Sequence, residues 1–558
     1  MALLPTLVPW LLTLVEAALL FTALVMVGLR PRRNTGQGNF PPAYSSFARH
    51  KVRAALSVGL LTIVLRIALI PILGVPQPRW NDEFSFLLAA KTFAAGRLTN
   101  PTHPLWRHFE TFHVIQQPTY MSMYPPGYGL VLAVGERVAH TPWLGVLLIT
   151  AIACSALCWM LQGWVPPEWA LFGGLLAVFR LGILSYWMNS YWCPGLAATG
   201  GALVLGASPR LRSRPTLRAA FGMAFGLAIL ANSRPYEGLL FSLPFAFVLL
   251  GWLIRGRARP AAQSFRPAAA VLALLLLVAA VATGYYNWWV TGNPFRLAYQ
   301  VNRETYAVAP YFIMFPERPA PHYDHAVMRD YYLEWEGHEF RNYHTLAGFL
   351  QNTGHKAVEL WRFYLGPVLT IPLLAFPFLF RDRRMRFPLQ IALFFTCGLL
   401  IQTWTFPHYI APATGLIYLL LIQCMRHLRL WTWGCRTVGI DLIRTIALVS
   451  VGVVFLRVVA AAVHAPIEPS WPRGNLDRPR IIAQLDSLPE PQLVFVRYGP
   501  HHDVTYEWVF NEPDIDHSKI VWAHDMGPDN AEVLSYFPDR QVQFLNADET
   551  PPRLLPAP

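Results

Sequence analysis

Charge is scarce in this chain. Only 14% of its 558 residues are Asp, Glu, Lys or Arg, while 54% are hydrophobic; soluble domains carry about 25% charged residues. With a mean hydropathy of +0.34, that shortage argues against a soluble globular protein and leaves the bilayer as the main solvent. Cysteine is scarce too, six in all, and the positions make no framework. Cys154 and Cys158 fall four apart in an apolar run, where helix packing accounts for them. Cys424 and Cys435 lie in or beside a basic loop, and Cys193 alone is expected on the outer side. Neither a disulfide nor a zinc site is expected. Acid is nearly missing where base is abundant. Of the 45 Lys and Arg, 22 gather in the stretches 29–53, 208–218, 255–266, 381–386 and 424–444, which hold two acids, Asp382 and Asp441. Basic charge divided among short loops beside apolar runs is the positive-inside pattern. A nucleic-acid surface needs that charge in one place, so the formal net charge of +13 does not indicate a nucleic-acid partner.

What the chain has in quantity is apolar runs, with 20 Trp and 22 Tyr to mark interfaces. The runs are 5–29, 53–74, 127–141, 143–161, 168–186, 195–207, 218–233, 236–254, 268–290, 361–380, 387–404, 408–425 and 438–460. The first lacks a basic leader and is followed by Arg30, Arg32 and Arg33, so it reads as a span with its N-terminus outside. The basic loop 424–444 is inside, which puts the C-terminal tail outside and makes the number of full passes even. The short run 127–141, with Glu136 and Arg137, follows Pro125 and Pro126 and is the one expected not to cross fully. The expected fold is a polytopic α-helical membrane protein of about 12 full spans plus a half-span, with a small C-terminal α/β outer domain. Residues 1–52 form the first span and a basic cytoplasmic loop. Residues 53–460 form the membrane region, with outer loops 75–126 and 291–360, and 461–558 a Pro-rich linker and the small domain. Within that domain strands are expected at 492–498, 519–522 and 541–544 and a helix at 530–536.

The polar residues with chemical potential collect at the expected outer ends of the runs. Asp82 and Glu83 follow the second run and open an amphipathic helix with Phe84, Leu87, Leu88 and Ala90 toward one side. Adjacent carboxylates there can take a proton from a hydroxyl or hold a divalent cation. The structural alternative is helix capping by Asn81 or Asp82. His103, His108 and His113 recur every five residues, which does not stack on one helical face and suits interfacial histidines rather than a metal cluster. Arg234, at a break before Pro235 and Glu237, suits a phosphate diester, or else snorkels from a tight turn. His408 and Tyr409 join two late runs and can contact phosphate or sugar, or belong to an aromatic belt. Arg66 and Arg180 lie inside or near the ends of apolar runs.

Taken in order, Asp82-Glu83, Tyr124-Pro125-Pro126, Arg234-Pro235 and His408-Tyr409 with Pro412 resemble the GT-C superfamily of membrane glycosyltransferases. The closer likeness is to protein O-mannosyltransferases and lipid A aminoarabinose transferases, and it covers about 50–460. The chain departs from the family's pattern in carrying His408 where arginine is frequent. It also has Asn189 where a second outer acid is expected. The resemblance implies inverting transfer of a sugar from a polyprenyl-phosphate donor to a lipid, glycan or protein acceptor at the outer leaflet. Asp82 would be the base and Glu83 an assistant, the two together holding any divalent metal. Tyr124, Pro126, Asn189, Arg234, Glu237, His408 and Tyr409 would bind substrate. The charge bias and the absence of a retention signal at Pro558 fit a bacterial inner membrane with both termini in the periplasm. A transporter would instead place its ionisable groups near the midplane, and a non-catalytic scaffold would use the tail domain to recruit a partner.

Overall fold

The computed structural model of the chain describes residues 4–29, 40–255, 260–434, 437–465 and 476–556. Arg30, Arg32, Arg33, Cys435 and most of the Pro-rich linker from Pro466 lie outside the described residues. The apolar runs fold as helices whose inward faces share one core, including Leu132, Leu157, Leu205 and Leu419. Among the described residues five stretches are long and apolar enough to cross a membrane: Trp10–Gly28, Trp143–Leu161, Pro235–Trp252, Arg266–Thr291 and Val438–Ala462. A bent pair, Leu346–Tyr364 with Gly366–Phe380, makes a sixth if taken together.

Helix length alone does not reach about 12 spans, because several runs are interrupted or short. The run 168–186 divides into the helix Pro167–Ala177 and a widened turn, Val178–Gly182. Arg386–Leu400 and Thr414–Leu428 have 15 residues each, about 22 Å against a hydrocarbon core of about 30 Å. The run 127–141 becomes the 14-residue helix Pro126–Ala139, about 21 Å long. Pro126 stands in its first turn, where a missing N–H costs nothing, and His140 ends it in a left-handed conformation at φ 50°.

The bent pair turns by 98°. Such a break frees carbonyls before it and N–H groups after it, and buried charges serve both. Arg180 Nε donates to the Phe363 carbonyl at 2.9 Å, and its Nη2 donates to the Arg362 carbonyl. Glu16 Oε1 accepts from the Val368 N–H at 3.3 Å, and Glu16 lies 3.5 Å from Arg180. Gly366 fits between them at φ +60°; a Cβ there would meet Arg180 Nη2 and Glu16 Oε1 at 2.8 Å each.

Two further layers carry their own packing clusters apart from this core. Segment 75–126 gives the helix Asn81–Ala94 and three short antiparallel strands, β1 (Asn100–Pro101), β2 (Val114–Ile115) and β3 (Thr119–Ser122), in the order β1-β3-β2. The C-terminal segment gives the helix Asp477–Asp486 and a four-stranded sheet in the order β5-β4-β6-β7. Its strands are β4 (Gln492–Arg497), β5 (Ile520–His524), β6 (Gln541–Asn546) and β7 (Arg553–Pro556), the last antiparallel; the helix Asn530–Tyr536 lies between β5 and β6. One face of this sheet packs Val494, Val496 and Trp522 against Ile481 and Leu485. The other packs Leu493, Phe495 and Val521 against Leu88, Phe109 and Tyr120 of the first loop. The tail thus shares a core with the helix that carries Asp82.

Removing one partner of a buried ion pair costs about 3–5 kcal/mol. Arg180→Leu is therefore expected to lower the unfolding temperature of the detergent-solubilised protein markedly, and Glu16→Gln less. An unchanged midpoint in Arg180→Leu would refute the role given to the pair at the helix break.

Candidate active site

A cavity of about 220 Å³ lies where the first loop, the long segment 291–360, the membrane turns and the C-terminal tail meet. Asp82, Tyr124, Arg234, His408 and Tyr409 line it. Asp82 reaches it because the helix Asn81–Ala94 starts at a fixed point. Both Glu83 oxygens are engaged by backbone: Oε2 accepts from the N–H groups of Arg79 (2.8 Å) and Trp80 (3.0 Å), and Oε1 from that of Tyr191 (2.8 Å). The capping acid is thus Glu83, at the third helical position, and Asp82 is left to face the cavity.

Asp82 accepts a hydrogen bond from the Tyr124 hydroxyl. Burial, followed by the Asp82 charge, holds the Tyr124 phenol well above its ordinary range, so it stays a donor. His113 Nδ1 lies 3.5 Å from Asp82, and its Nε2 is 3.2 Å from the Tyr331 hydroxyl. His113 takes a left-handed φ of 57°, and its carbonyl is held by Ser85 Oγ at 2.6 Å and the Met123 N–H at 3.0 Å.

Arg234 sits between the helices Leu217–Ala231 and Pro235–Arg255. Its guanidinium lies 4.2 Å from the centre of the Tyr409 ring, a favourable cation–ring arrangement. The preceding turn is pinned to the start of Pro126–Ala139: the Gly127 N–H donates to the Asn232 carbonyl at 2.9 Å, where a Cβ on Gly127 would collide at 2.4 Å. Tyr186 and His408 Nδ1 are 3.0 Å apart, and the Trp192 ring is 4.1 Å from that of His408.

The remaining predicted residues stand behind the wall. Glu237 Oε1 accepts from the Tyr311 hydroxyl at 3.0 Å and Gln402 Nε2 at 2.9 Å, tying together two segments that deliver Tyr311 and Trp404 to the cavity. Asn189 Oδ1 accepts from Arg66 Nε at 3.0 Å. Arg66 also donates to the Gly74 carbonyl at 2.7 Å and lies over Trp143, so the buried partner of Arg66 is Asn189. Pro126 opens its helix next to Tyr124 without lining the cavity.

For a divalent cation the donor set does not fit. Both Glu83 oxygens are directed to N–H donors away from Asp82, and among the described residues no group of three or more His, Cys, Asp or Glu could hold a metal. The sequence reasoning did not single out His113 as an Asp82 neighbour, nor Arg303, Glu336, Tyr331 and Trp404, which also line the cavity. The five-residue histidine spacing was the one available signal for His113, and only the hairpin register turns it toward Asp82.

Solved structures similar to this chain include an ArnT and an oligosaccharyltransferase. ArnT from Cupriavidus metallidurans, solved apo and bound to undecaprenyl phosphate, is similar over 91% of this chain and 94% of that one, at 13% identity and a TM-score of 0.47. The Archaeoglobus fulgidus oligosaccharyltransferase is similar over 80% of this chain at 10% identity and a TM-score of 0.46, and the match spans 62% of that protein's length. No protein-family model and no curated protein matches the chain.

Burial pushes the Glu83 carboxyl up from 4.5 to about 7, with the three N–H donors opposing and the Asp82 charge adding to the rise. A raised acid contributes stability fully below its unfolded value and loses it as pH climbs through the folded one. The stability difference between wild type and Glu83→Gln is therefore expected to shrink by on the order of 3 kcal/mol between pH 4.5 and 8. Denaturant titration at several pH values measures it, and a pH-independent difference would contradict the assignment.

Proposed function

We propose that the protein is a membrane glycosyltransferase that moves a sugar from a polyprenyl-phosphate donor to an acceptor hydroxyl, with inversion. The observation that carries this reading is one cavity lined by both a carboxylate, Asp82, and a half-buried guanidinium, Arg234, at the turn between two apolar helices. The acceptor oxygen attacks the anomeric carbon, forming a new O–C bond. The bond from that carbon to the phosphate oxygen breaks, and its electron pair leaves with the phosphate. The acceptor proton goes to Asp82, held in orientation by Tyr124 with His113 alongside. Arg234 takes up the developing phosphate charge, where a half-buried cation is worth more than in water. His408, packed against Trp192, flanks the leaving group, and Tyr409 fixes the Arg234 plane. Glu83 acts through Asp82 by setting the helix start, and Glu237 by positioning Tyr311 and Trp404. No step is routed through a metal.

About 12 passes, an outer-facing site and both termini in the periplasm of a bacterial inner membrane complete the proposal. The apolar helices supply a bed for a prenyl chain, and the turn at Arg234 gives its phosphate a cation.

Transfer of radiolabelled sugar from a panel of polyprenyl-phosphate sugars to membrane extracts tests it. Loss of a general base costs about 10²–10⁴-fold, so Asp82→Asn is expected to lower the rate by at least the smaller factor at equal expression. Arg234→Gln should fall about as far. Normal transfer by Asp82→Asn would sink the mechanism.

A further inference from the structure

Part of the cavity lining takes no direct part in the bond changes of this reaction. There Arg303 and Glu336, 10% and 6% exposed, form a pair: Arg303 Nη1 donates to Oε1 at 2.7 Å and Oε2 at 2.8 Å, and Nη2 donates to the Ala309 carbonyl at 2.5 Å. Burying two charges costs several kcal/mol per ion, and apolar contact would join the helices Ala298–Tyr306 and Glu336–Asn342 at lower cost. An ionised carboxylate offers about four acceptor positions. Arg303 fills two, and among the described residues no further hydrogen bond reaches Glu336.

Other polar atoms of residues that line the cavity lack partners. Among the described residues, Trp404 Nε1 and Trp80 Nε1 find no acceptor and Asn81 Oδ1 finds no donor, though all are buried and their residues line the cavity. Buried polar atoms in native proteins are nearly always satisfied. Aromatic faces line the cavity as well: Trp335, 37% exposed, is stacked on Tyr331 at 5.1 Å, and Trp404 lies beside Arg303. Indole donors, an amide acceptor, spare carboxylate lone pairs and flat apolar rings together suit a ligand rich in hydroxyls that also has C–H faces. Extended peptides are read mainly through main-chain bonds; this wall offers side chains.

Resting on the glycosyltransferase reading, we infer that this side of the cavity is a saccharide subsite for the acceptor, so that the attacking group is a sugar hydroxyl of a glycan or glycolipid. Glu336, Trp404 and Asn81 hold the acceptor ring, Trp335 stacks on it, and Thr505, brought by the C-terminal tail, bounds it.

The test uses the full chain in phospholipid nanodiscs. Saturation-transfer NMR is run with methyl glycosides of common hexoses, pentoses and N-acetylhexosamines, and separately with a short-peptide library; radiolabelled undecaprenyl phosphate binding is measured in parallel. At least one glycoside is expected to bind. One lost hydrogen bond is worth about 1–1.5 kcal/mol, so Trp404→Phe and Glu336→Gln should each weaken it about five- to tenfold, with undecaprenyl phosphate binding unchanged. Trp404→Phe removes only the indole N–H donor and a little volume, which keeps the test valid if Glu336→Gln misfolds. A glycolipid bearing the same sugar that competes far more strongly assigns a lipid-borne acceptor, and equal competition a soluble glycan; either supports the subsite. No glycoside binding, or binding indifferent to both variants, overturns the subsite while undecaprenyl phosphate binding leaves the catalytic reading standing. Peptide binding weakened by these variants also overturns it. Failure of wild type to bind undecaprenyl phosphate overturns the reading beneath it.

Discussion

The carboxylate of Glu83 is the fixed point from which the cavity is built. Its two oxygens collect three backbone N–H groups, two from the chain entering the helix and one from Tyr191 in a membrane turn 108 residues away. That bond set locks a loop helix to the membrane core and decides which way its first turn faces. Asp82 is thereby presented to the cavity, while the acid beside it is consumed in holding it there. Two neighbouring carboxylates, alike in sequence, receive different tasks because one is surrounded by donors and the other by a tyrosine, a histidine and open space.

Around that point the site is assembled from segments that are distant in sequence and joined by few polar ties. Glu237 gathers Tyr311 and Gln402. The Phe312 and Gln402 backbones pair as an isolated bridge. The tail is held to the first loop by Phe84 stacked on Phe510 at 4.2 Å, by the Tyr120 hydroxyl donating to the Asn511 carbonyl at 3.0 Å, and by Arg79 over the Tyr506 ring. Each tie is buried or half-buried, where water competes least.

Much of this was legible before any coordinates. Hydrophobic runs locate the membrane helices, Pro126 the start of a short one, and the alternating tail segments their strands near 492, 520 and 541. Asp82, Tyr124, Arg234, His408 and Tyr409 meet in one cavity because each lies in or beside a segment that joins two apolar runs. What sequence could not give is side-chain direction. Whether Asp82 or Glu83 faces inward depends on three N–H groups, one of them far away. Asn189 looked like a ligand for substrate, and in the structure its amide oxygen accepts from Arg66 inside the core. Arg303 and Glu336, 33 residues apart in a segment without periodicity, carry no local signal at all. Interruptions of helices were equally hidden: the 98° turn before Gly366 depends on Glu16 and Arg180, which no neighbouring residue announces.

The Asn81 side chain donates to the Val504 carbonyl at 3.5 Å across 423 residues of chain, and Thr505 beside it closes the cavity. During synthesis the helix bearing Asp82 leaves the ribosome long before the segment that roofs it. Every membrane helix among the described residues is made before that roof exists. Closure of the cavity therefore follows synthesis of the last membrane helix, and a polypeptide cut short between that helix and Val504 lacks the segment that roofs the cavity.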